Sequence, residues 1–272
     1  KELVGLLPLF LGLGKADTVV HPRVAYPTYA IGAAIVGASV VASDDPADWP
    51  PSTRLVWLNS PGNPTGRVLD AAELRRAVER ARELGAVIAN DECYAEFNWG
   101  GSEPTTSILH PDVIAGDRSS VLALYSLSKQ SNLAGYRASF VAGCDELIAE
   151  LLAVRKHAGL IPPAPVQAAT TAALADEKHV SDQRDRYRAR RAKLLPALRS
   201  AGFRIDDSEA GLYLWATKGQ DAWATVAELA SAGILVVPGP FYGDHAAQHV
   251  RIALTATDAA IADAVARLRL LS

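Results

Sequence analysis

No methionine occurs among the 272 residues, and there are only two cysteines, Cys93 and Cys144. With no CxxC spacing between them, neither a disulfide framework nor a zinc site is indicated, and a reducing, cytoplasmic compartment fits. A basic surplus is missing too: Lys and Arg number 27 against 30 Asp and Glu, a formal charge of -3. Neutralising the phosphates of a nucleic acid or an anionic membrane needs a cationic patch, so neither partner is expected. The one cationic run, Arg184, Arg186, Arg188, Arg190 and Arg191, is interleaved with Asp182, Asp185 and Tyr187 at helical spacing. It reads as a solvated helix face. The apolar run at residues 3–13 is too short to span a bilayer and contains Pro8, so it reads as a buried helix. Repeats and low-complexity tracts are also lacking. The absent methionine, together with a start at Lys1 inside an apolar helical pattern, predicts that further residues precede Lys1 in the complete protein.

What is there is an alternation of short apolar runs with helical patterns. Residues 18–22 (TVVHP), ASVVAS and TRLVWL suit buried strands, with a helix predicted over residues 29–37. Residues 70–85 form the clearest helix: Asp70 and Glu73 make a capping box, and Leu74, Ala77, Val78, Ala81 and Leu84 share one face. AVIAND, SVLALYS and RASFVAG are again strand-like. Continuous apolar strands separated by helices predict a mainly parallel sheet covered on both faces, an α/β fold. After Gly159 the pattern changes. Three prolines interrupt the chain in LIPPAPVQ, a charged helix follows over residues 181–200, then short strands at 203–206, 213–216, 234–238 and 250–254, and a helix from Asp258. The organisation expected is a large domain over residues 1–160 and a smaller α+β domain over residues 161–272.

Three segments at predicted strand ends carry chemistry, and strand carboxyl ends are where α/β sheets bind ligands. The first is Asn59-Ser60-Pro61-Gly62-Asn63-Pro64-Thr65-Gly66. Its X-Pro steps and glycines make a tight loop presenting the Asn63 amide, although a plain turn accounts equally for those dipeptides. The second is Asn90-Asp91-Glu92-Cys93-Tyr94. A carboxylate at the tip of a buried strand is costly unless a cation or donors meet it, and a capping role for Asp91 is as good a reading. Tyr94, three residues on, can face the same place. The third is Ser126-Leu127-Ser128-Lys129, with Arg137 beyond it in AGYR. Hydroxyls, an arginine and a lysine after a strand suit a phosphate beside an amine nucleophile, against the simpler reading of a surface lysine.

NSPGNPTG, DECY, SLSK and an arginine eight residues past the lysine, in that order, resemble the fold-type I aminotransferases of class I/II. The VRIAL segment resembles that family's substrate-carboxylate arginine. The wording VAYPTYAIGA, NSPGNPTGRVL and SLSKQSNLAGYRASF is most similar to the actinobacterial succinyldiaminopimelate aminotransferases of lysine and cell-wall biosynthesis. The resemblance covers essentially the whole chain and implies a pyridoxal 5'-phosphate enzyme acting on small amino-acid and oxo-acid substrates as a homodimer. It implies that Lys129 carries the cofactor covalently and moves the proton, and that Asp91 keeps the ring nitrogen protonated. Asn63 and Tyr94 would meet the phenolic oxygen. Ser126 and Arg137 would hold the phosphate, helped by amides of the helix starting near Lys1. Tyr26 would stack on the ring, with Tyr29 as competitor and a core aromatic as the plainer reading. Arg251 would take the substrate α-carboxylate through both guanidinium prongs. The resemblance further implies N-succinyl-2-amino-6-oxopimelate as acceptor and glutamate as donor, though no residue announces itself as the distal carboxylate's partner.

An aminotransferase for aspartate or another amino acid is an alternative within the family, and two rivals outside amino transfer remain open at this point. A carbon–sulfur lyase would keep the same residues and release pyruvate and ammonia instead of exchanging amino and oxo acids. An aminotransferase-like regulator domain would carry a helix-turn-helix before Lys1, but it needs no arginine at position 251.

Overall fold

Successive residues of the apolar strands point to opposite cores. In the computed structural model, which describes residues 1–101 and 103–271, Val20, Val56, Leu58, Ile88, Val121 and Ala123 enter one hydrophobic cluster. Their neighbours Val19, Leu55, Trp57, Ala89, Leu122 and Leu124 enter another on the opposite face. Period-2 alternation with both faces covered is why these strands read as unbroken apolar runs. The strands are β1 (Thr18–His21), β2 (Ser39–Ala42), β3 (Thr53–Leu58), β4 (Val87–Asp91), β5 (Val121–Ser126) and β6 (Ser139–Gly143). They pair in the order β2-β1-β3-β4-β5-β6. All neighbours are parallel except β5 and β6, which are antiparallel. The expected mainly parallel sheet is therefore present, with one reversed edge strand.

Helices α1 (Glu2–Phe10) and α2 (Thr28–Val36) cover one face through Val4, Leu7, Tyr29 and Ala33. The expectation of a buried first helix holds for Val4, Leu7 and Pro8, whereas Leu9 is exposed. Helix α3 (Ala71–Glu83) covers the other face. Its capping box is formed: Asp70 accepts from the Glu73 amide at 2.8 Å and Glu73 accepts from the Asp70 amide at 3.0 Å. Leu74, Ala77, Val78 and Ala81 are buried on it, and Leu84 is partly buried against the same cluster. Short helices α4 (Pro111–Ile114) and α5 (Leu127–Gln130) follow β4 and β5.

Besides the one-turn α4 and α5, three longer helices are not announced by the sequence pattern: α6 (Asp145–His157), α7 (Ala164–Leu174) and α9 (Ala222–Ser231). The prolines before α7 open that helix, with Pro165 in its first turn, and α7 buries none of its residues. Helix α8 (Glu177–Ser200) begins four residues before the predicted start, because the Asp176 side chain accepts from the amides of Lys178 and His179. Its arginines are not all solvated as expected. Arg190 pairs with Asp258 at 2.5 Å and donates to Leu254 O, and Arg191 donates to Ser208 O at 3.0 Å. Tyr187 is buried between them.

The second sheet contains β7 (Arg204–Asp206), β8 (Tyr213–Thr217), β9 (Val237–Pro238) and β10 (His249–Ala253), antiparallel in the order β7-β8-β10-β9. Strand β9 is only two residues of the predicted 234–238 run. Helix α10 (Asp258–Leu268), α8 and α9 bury Ile261, Leu194, Leu198 and Leu229 against Leu214, Val250 and Ile252. Tyr94 and Phe97, just past β4, sit in this same cluster and tie the two sheets together. A second tie is backbone to backbone. Ser208 N donates to Thr65 O, and Glu209 and Ala210 N donate to Gly66 O, at 2.9–3.0 Å. Gly66 has a φ of +73°, and a Cβ there would stand 2.5 Å from Ala210 O, so glycine is required.

Glu92 braces this region rather than the chemistry. Its Oε1 accepts from Asn90 Nδ2, Ser107 Oγ and Ile108 N at 2.8–3.1 Å, and burial raises its pKa against those bonds. Replacing Glu92 with alanine strands three donors away from water. The expected loss is about 2–4 kcal/mol of stability, read as a lower denaturation midpoint in urea at unchanged slope.

Candidate active site

The carboxyl ends of β3, β4 and β5 open on one side into a cavity of about 720 Å³. Lys1, Tyr26, Asn63, Asp91, Tyr94, Ser126, Lys129, Arg137 and Arg251 all line it, so every site residue expected from the sequence comes to one place. Asp91 is the last residue of β4. Its Oδ1 accepts from Cys93 N at 3.2 Å and its Oδ2 from the Tyr29 hydroxyl at 3.3 Å. Two donors therefore meet a carboxylate that has no cationic partner among the described residues, and one edge faces the cavity. A capping role is not what holds Asp91, since no α-helix begins there.

Ser126 ends β5 and caps α5, accepting from Ser128 N at 3.2 Å. Its Oγ also lies 2.9 Å from Ser128 Oγ and 3.1 Å from Ala138 O. That cap turns the chain so that Lys129, on α5, reaches the cavity, where its amine makes no hydrogen bond or ion pair among the described residues. The surface salt-bridge reading fails on that geometry. Arg137 follows a one-turn 3-10 helix at φ +55° and donates to Ala134 O. Lys1, at the N-cap of α1, lines the wall together with Leu3 and Val4, so the N-terminal end of that helix belongs to the cavity rim.

Asn63 is held at two atoms. Its N donates to Asn59 Oδ1 at 2.8 Å, and its Oδ1 accepts from Arg251 Nη1 at 2.8 Å. With the oxygen occupied, Nδ2 is left as a donor with no partner among the described residues. The Tyr94 hydroxyl is likewise unpartnered there, and burial holds its phenol well above the ordinary pKa, so it is a neutral donor. Tyr29 is fully buried, stacked on Trp57 at 5.0 Å, which removes it as the exposed ring. Tyr26 meets Tyr29 edge-on at 5.9 Å and keeps a partly exposed face. Arg251 lies between the rings of Tyr213 and Tyr242, 5.1 and 5.3 Å from their centroids.

Cys93, Tyr125, Ser128, Phe140, Phe241 and Tyr242 also line the cavity and were not singled out in the sequence. Ser128 was within reach, lying inside the SLSK motif. The aromatic turn GPFY carried a signal in its composition alone. Tyr125 and Phe140 face each other across the β5–β6 pair, which no local pattern foretells. Among the described residues no cluster of His, Cys, Asp and Glu could hold a metal ion, and no helix is long and apolar enough to cross a membrane.

The profile of the aminotransferase class I and II family matches residues 1–268, and the chain belongs to that family. Its members use pyridoxal 5'-phosphate. The chain is 57% identical over 269 residues to the probable aminotransferase Rv1178 of Mycobacterium tuberculosis, covering 98% of this chain and 64% of that protein. It is 53% identical to the 4-dedimethylamino-4-oxo-anhydrotetracycline transaminase OxyQ of Streptomyces rimosus, covering 98% of this chain and 74% of that one. The solved N-succinyldiaminopimelate aminotransferase of M. tuberculosis superimposes with a TM-score of 0.89 at 26% identity, over 100% of this chain and 75% of that chain. The fold is that of the pyridoxal-phosphate-dependent transferases of type I.

The donor set suits that cofactor. An unpaired amine matches its aldehyde, a carboxylate its pyridine nitrogen, and an amide and a phenol its phenolic oxygen. Hydroxyls, an arginine and the N-terminal end of α1 match its phosphate, and a partly exposed ring matches its face.

Proposed function

We propose that the complete protein transfers an amino group from an amino acid to an oxo acid, with pyridoxal 5'-phosphate held by the residues just described. The observation that carries this reading is the unpaired Lys129 amine sharing one cavity with Asp91 and Arg251. When bound, the cofactor supplies the aldehyde that captures amines and the ring that accepts electrons from the α-carbon. Lys129 is the residue to hold it covalently and, once released, to carry the proton away from the substrate α-carbon. Asp91 balances a protonated ring nitrogen. Asn63 and Tyr94 donate to the phenolic oxygen, Ser126, Arg137 and the α1 amides hold the phosphate, and Tyr26 covers the ring. Arg251 binds the substrate carboxylate. Stacking on Tyr213 and Tyr242 restricts its guanidinium to that task.

For the substrates we propose N-succinyl-2-amino-6-oxopimelate as acceptor and glutamate as donor, in lysine and diaminopimelate biosynthesis. The similarity to the M. tuberculosis N-succinyldiaminopimelate aminotransferase supports this reading. The greater identity to OxyQ favours a second reading, an oxo group on a larger ring system, which the aromatic lining by Phe140, Phe241 and Tyr242 would suit. The active unit is proposed as a cytoplasmic homodimer. The apolar side chains of Leu9, Ile31, Ile35 and Leu152, left exposed on α1, α2 and α6, are consistent with a covering partner.

A substrate panel on the full-length protein tests these choices. Succinyldiaminopimelate should exceed alanine and aspartate in kcat/KM by about 10⁴-fold, because a site built to hydrogen-bond the far end of a long substrate leaves those polar groups unpaired with a short one. Replacing Arg251 with lysine should weaken every substrate alike, by about 10²-fold, since lysine cannot give the two-pronged contact. An inert succinyldiaminopimelate beside a fast aromatic oxo acid would remove the first substrate reading and leave amino transfer standing.

A further inference from the structure

The Tyr213 side chain touches Arg251, Tyr94 and the Asn63 loop together. It is 3% exposed, on β8, and its hydroxyl donates to Gly62 O at 2.8 Å across 151 residues of sequence. Gly62 directly precedes Asn63 and lies in the turn closed by the Gly66 N to Gly62 O hydrogen bond. The ring stands edge-on to Tyr94, with centroids 5.4 Å apart and planes at 78°. Its face takes the Arg251 guanidinium at 5.1 Å. The ring reaches that position by folding back over Gly211, which has a φ of +91°. A Cβ there would stand 3.0 Å from Tyr213 Cζ.

Arg251 has few other restraints. Among the described residues its one hydrogen bond runs from Nη1 to Asn63 Oδ1, and its Nε is buried without a partner. A guanidinium so sparsely bonded is oriented by the two rings it lies over, those of Tyr213 and Tyr242. Burial keeps the Tyr213 phenol well above its ordinary pKa, so the hydroxyl remains a donor through the physiological range. The Arg251 guanidinium also lies over the Tyr242 ring, at 5.3 Å. That ring packs edge-on against Trp215, at 6.1 Å.

We propose that Tyr213 is a positioning residue with two separable functions: its ring orients Arg251 for the substrate carboxylate, and its hydroxyl fixes the loop that presents Asn63. The inference rests on the roles given above to Arg251 and Asn63. Through the ring, Tyr213 sets affinity for any ligand bearing an α-carboxylate. Through the hydroxyl, it sets how firmly the Asn63 amide meets the cofactor's phenolic oxygen, and so the pH at which the bound cofactor changes colour.

The experiment uses the full-length holoenzyme with 2-oxoglutarate as a non-exchanging probe, followed by cofactor absorbance. Four proteins are compared: wild type, Tyr213→Phe, the same position carrying 3,4,5-trifluorophenylalanine, and Arg251→Leu. Tyr213→Phe should bind 2-oxoglutarate within about threefold of wild type and shift the midpoint of the absorbance–pH titration. Fluorination keeps the shape of the ring while emptying its negative face. It should raise the 2-oxoglutarate dissociation constant about fivefold to tenfold over Tyr213→Phe, the size of a desolvated cation–π contact. A merely structural tyrosine would show neither the midpoint shift nor the fluorine dependence. Equal affinity for the phenylalanine and trifluorophenylalanine proteins, with Arg251→Leu strongly impaired, overturns the role of the ring alone. An unmoved midpoint in Tyr213→Phe overturns the role of the hydroxyl. If Arg251→Leu itself binds the probe like wild type, the assignment of Arg251 falls, and the role of the ring falls with it.

Discussion

Replacing Lys129 with alanine is expected to abolish amino transfer in the full-length protein, with kcat falling by at least about 10⁴-fold. The size follows from two losses at one atom: the amine that carries the cofactor and the acid–base group that moves the α-proton, the latter alone contributing about 10²–10⁴-fold. The structure bears on the expectation in a specific way. Among the described residues no other lysine except Lys1 lines the cavity, and Lys1 Nζ lies over the Tyr26 ring at 5.5 Å. Borohydride reduction of the wild-type holoenzyme, followed by peptide mass mapping, should place the cofactor on Lys129. Lys129→Ala should lose the label, while its cofactor-free form keeps the wild-type apoprotein's denaturation midpoint, because the amine has no partner among the described residues. A label on Lys1, or turnover near wild type, would sink the assignment.

Asp91 should give the second-largest effect. Asp91→Asn keeps Oδ1 for the Cys93 amide, and its Nδ2 can donate to the Tyr29 oxygen in place of the bond that Oδ2 accepted, so both contacts are kept, one with its direction reversed, while the charge is removed. Cofactor should still bind, and kcat should fall by about 10²–10³-fold, as for other groups that stabilise charge developing in a transition state. Asp91→Ala should lose at least as much activity. It should also be less stable, because the fully buried Tyr29 hydroxyl is left without its acceptor. Single-turnover kinetics separate the two consequences. Comparable turnover in wild type and Asp91→Asn would show that the carboxylate serves only to brace Tyr29 and Cys93.

Much of this architecture was readable from local chemistry. The alternation in β1, β3, β4 and β5, the capping box of α3, and the placement of NSPGNPTG, DECY and SLSK after apolar runs all depend on residues within a few positions of each other. Backbone period and turn chemistry act at that range. The reversed direction of β6 was not readable, since a five-residue strand looks the same whichever way it runs. Helix α7 escaped because it buries none of its residues, so no apolar face marks it. The start of α8 moved to Glu177 because one aspartate happens to cap two amides. The Arg190–Asp258 pair spans 68 residues and gave no local sign.

The candidate site divides along the same line. Sequence alone determined which residue types lie at the strand ends, because a lysine, an aspartate or an asparagine following a buried run has nowhere to go but the sheet's carboxyl edge. Only the tertiary structure decided that Tyr29 is consumed by Trp57 and Asp91 while Tyr26 keeps an open face, and that Arg251 reaches Asn63 across 188 residues between two tyrosine rings. The physical reason is that side-chain stacking and hydrogen bonds across sheets are set by packing in three dimensions. The spacing of residues along the chain carries no record of which ring will end up facing which guanidinium.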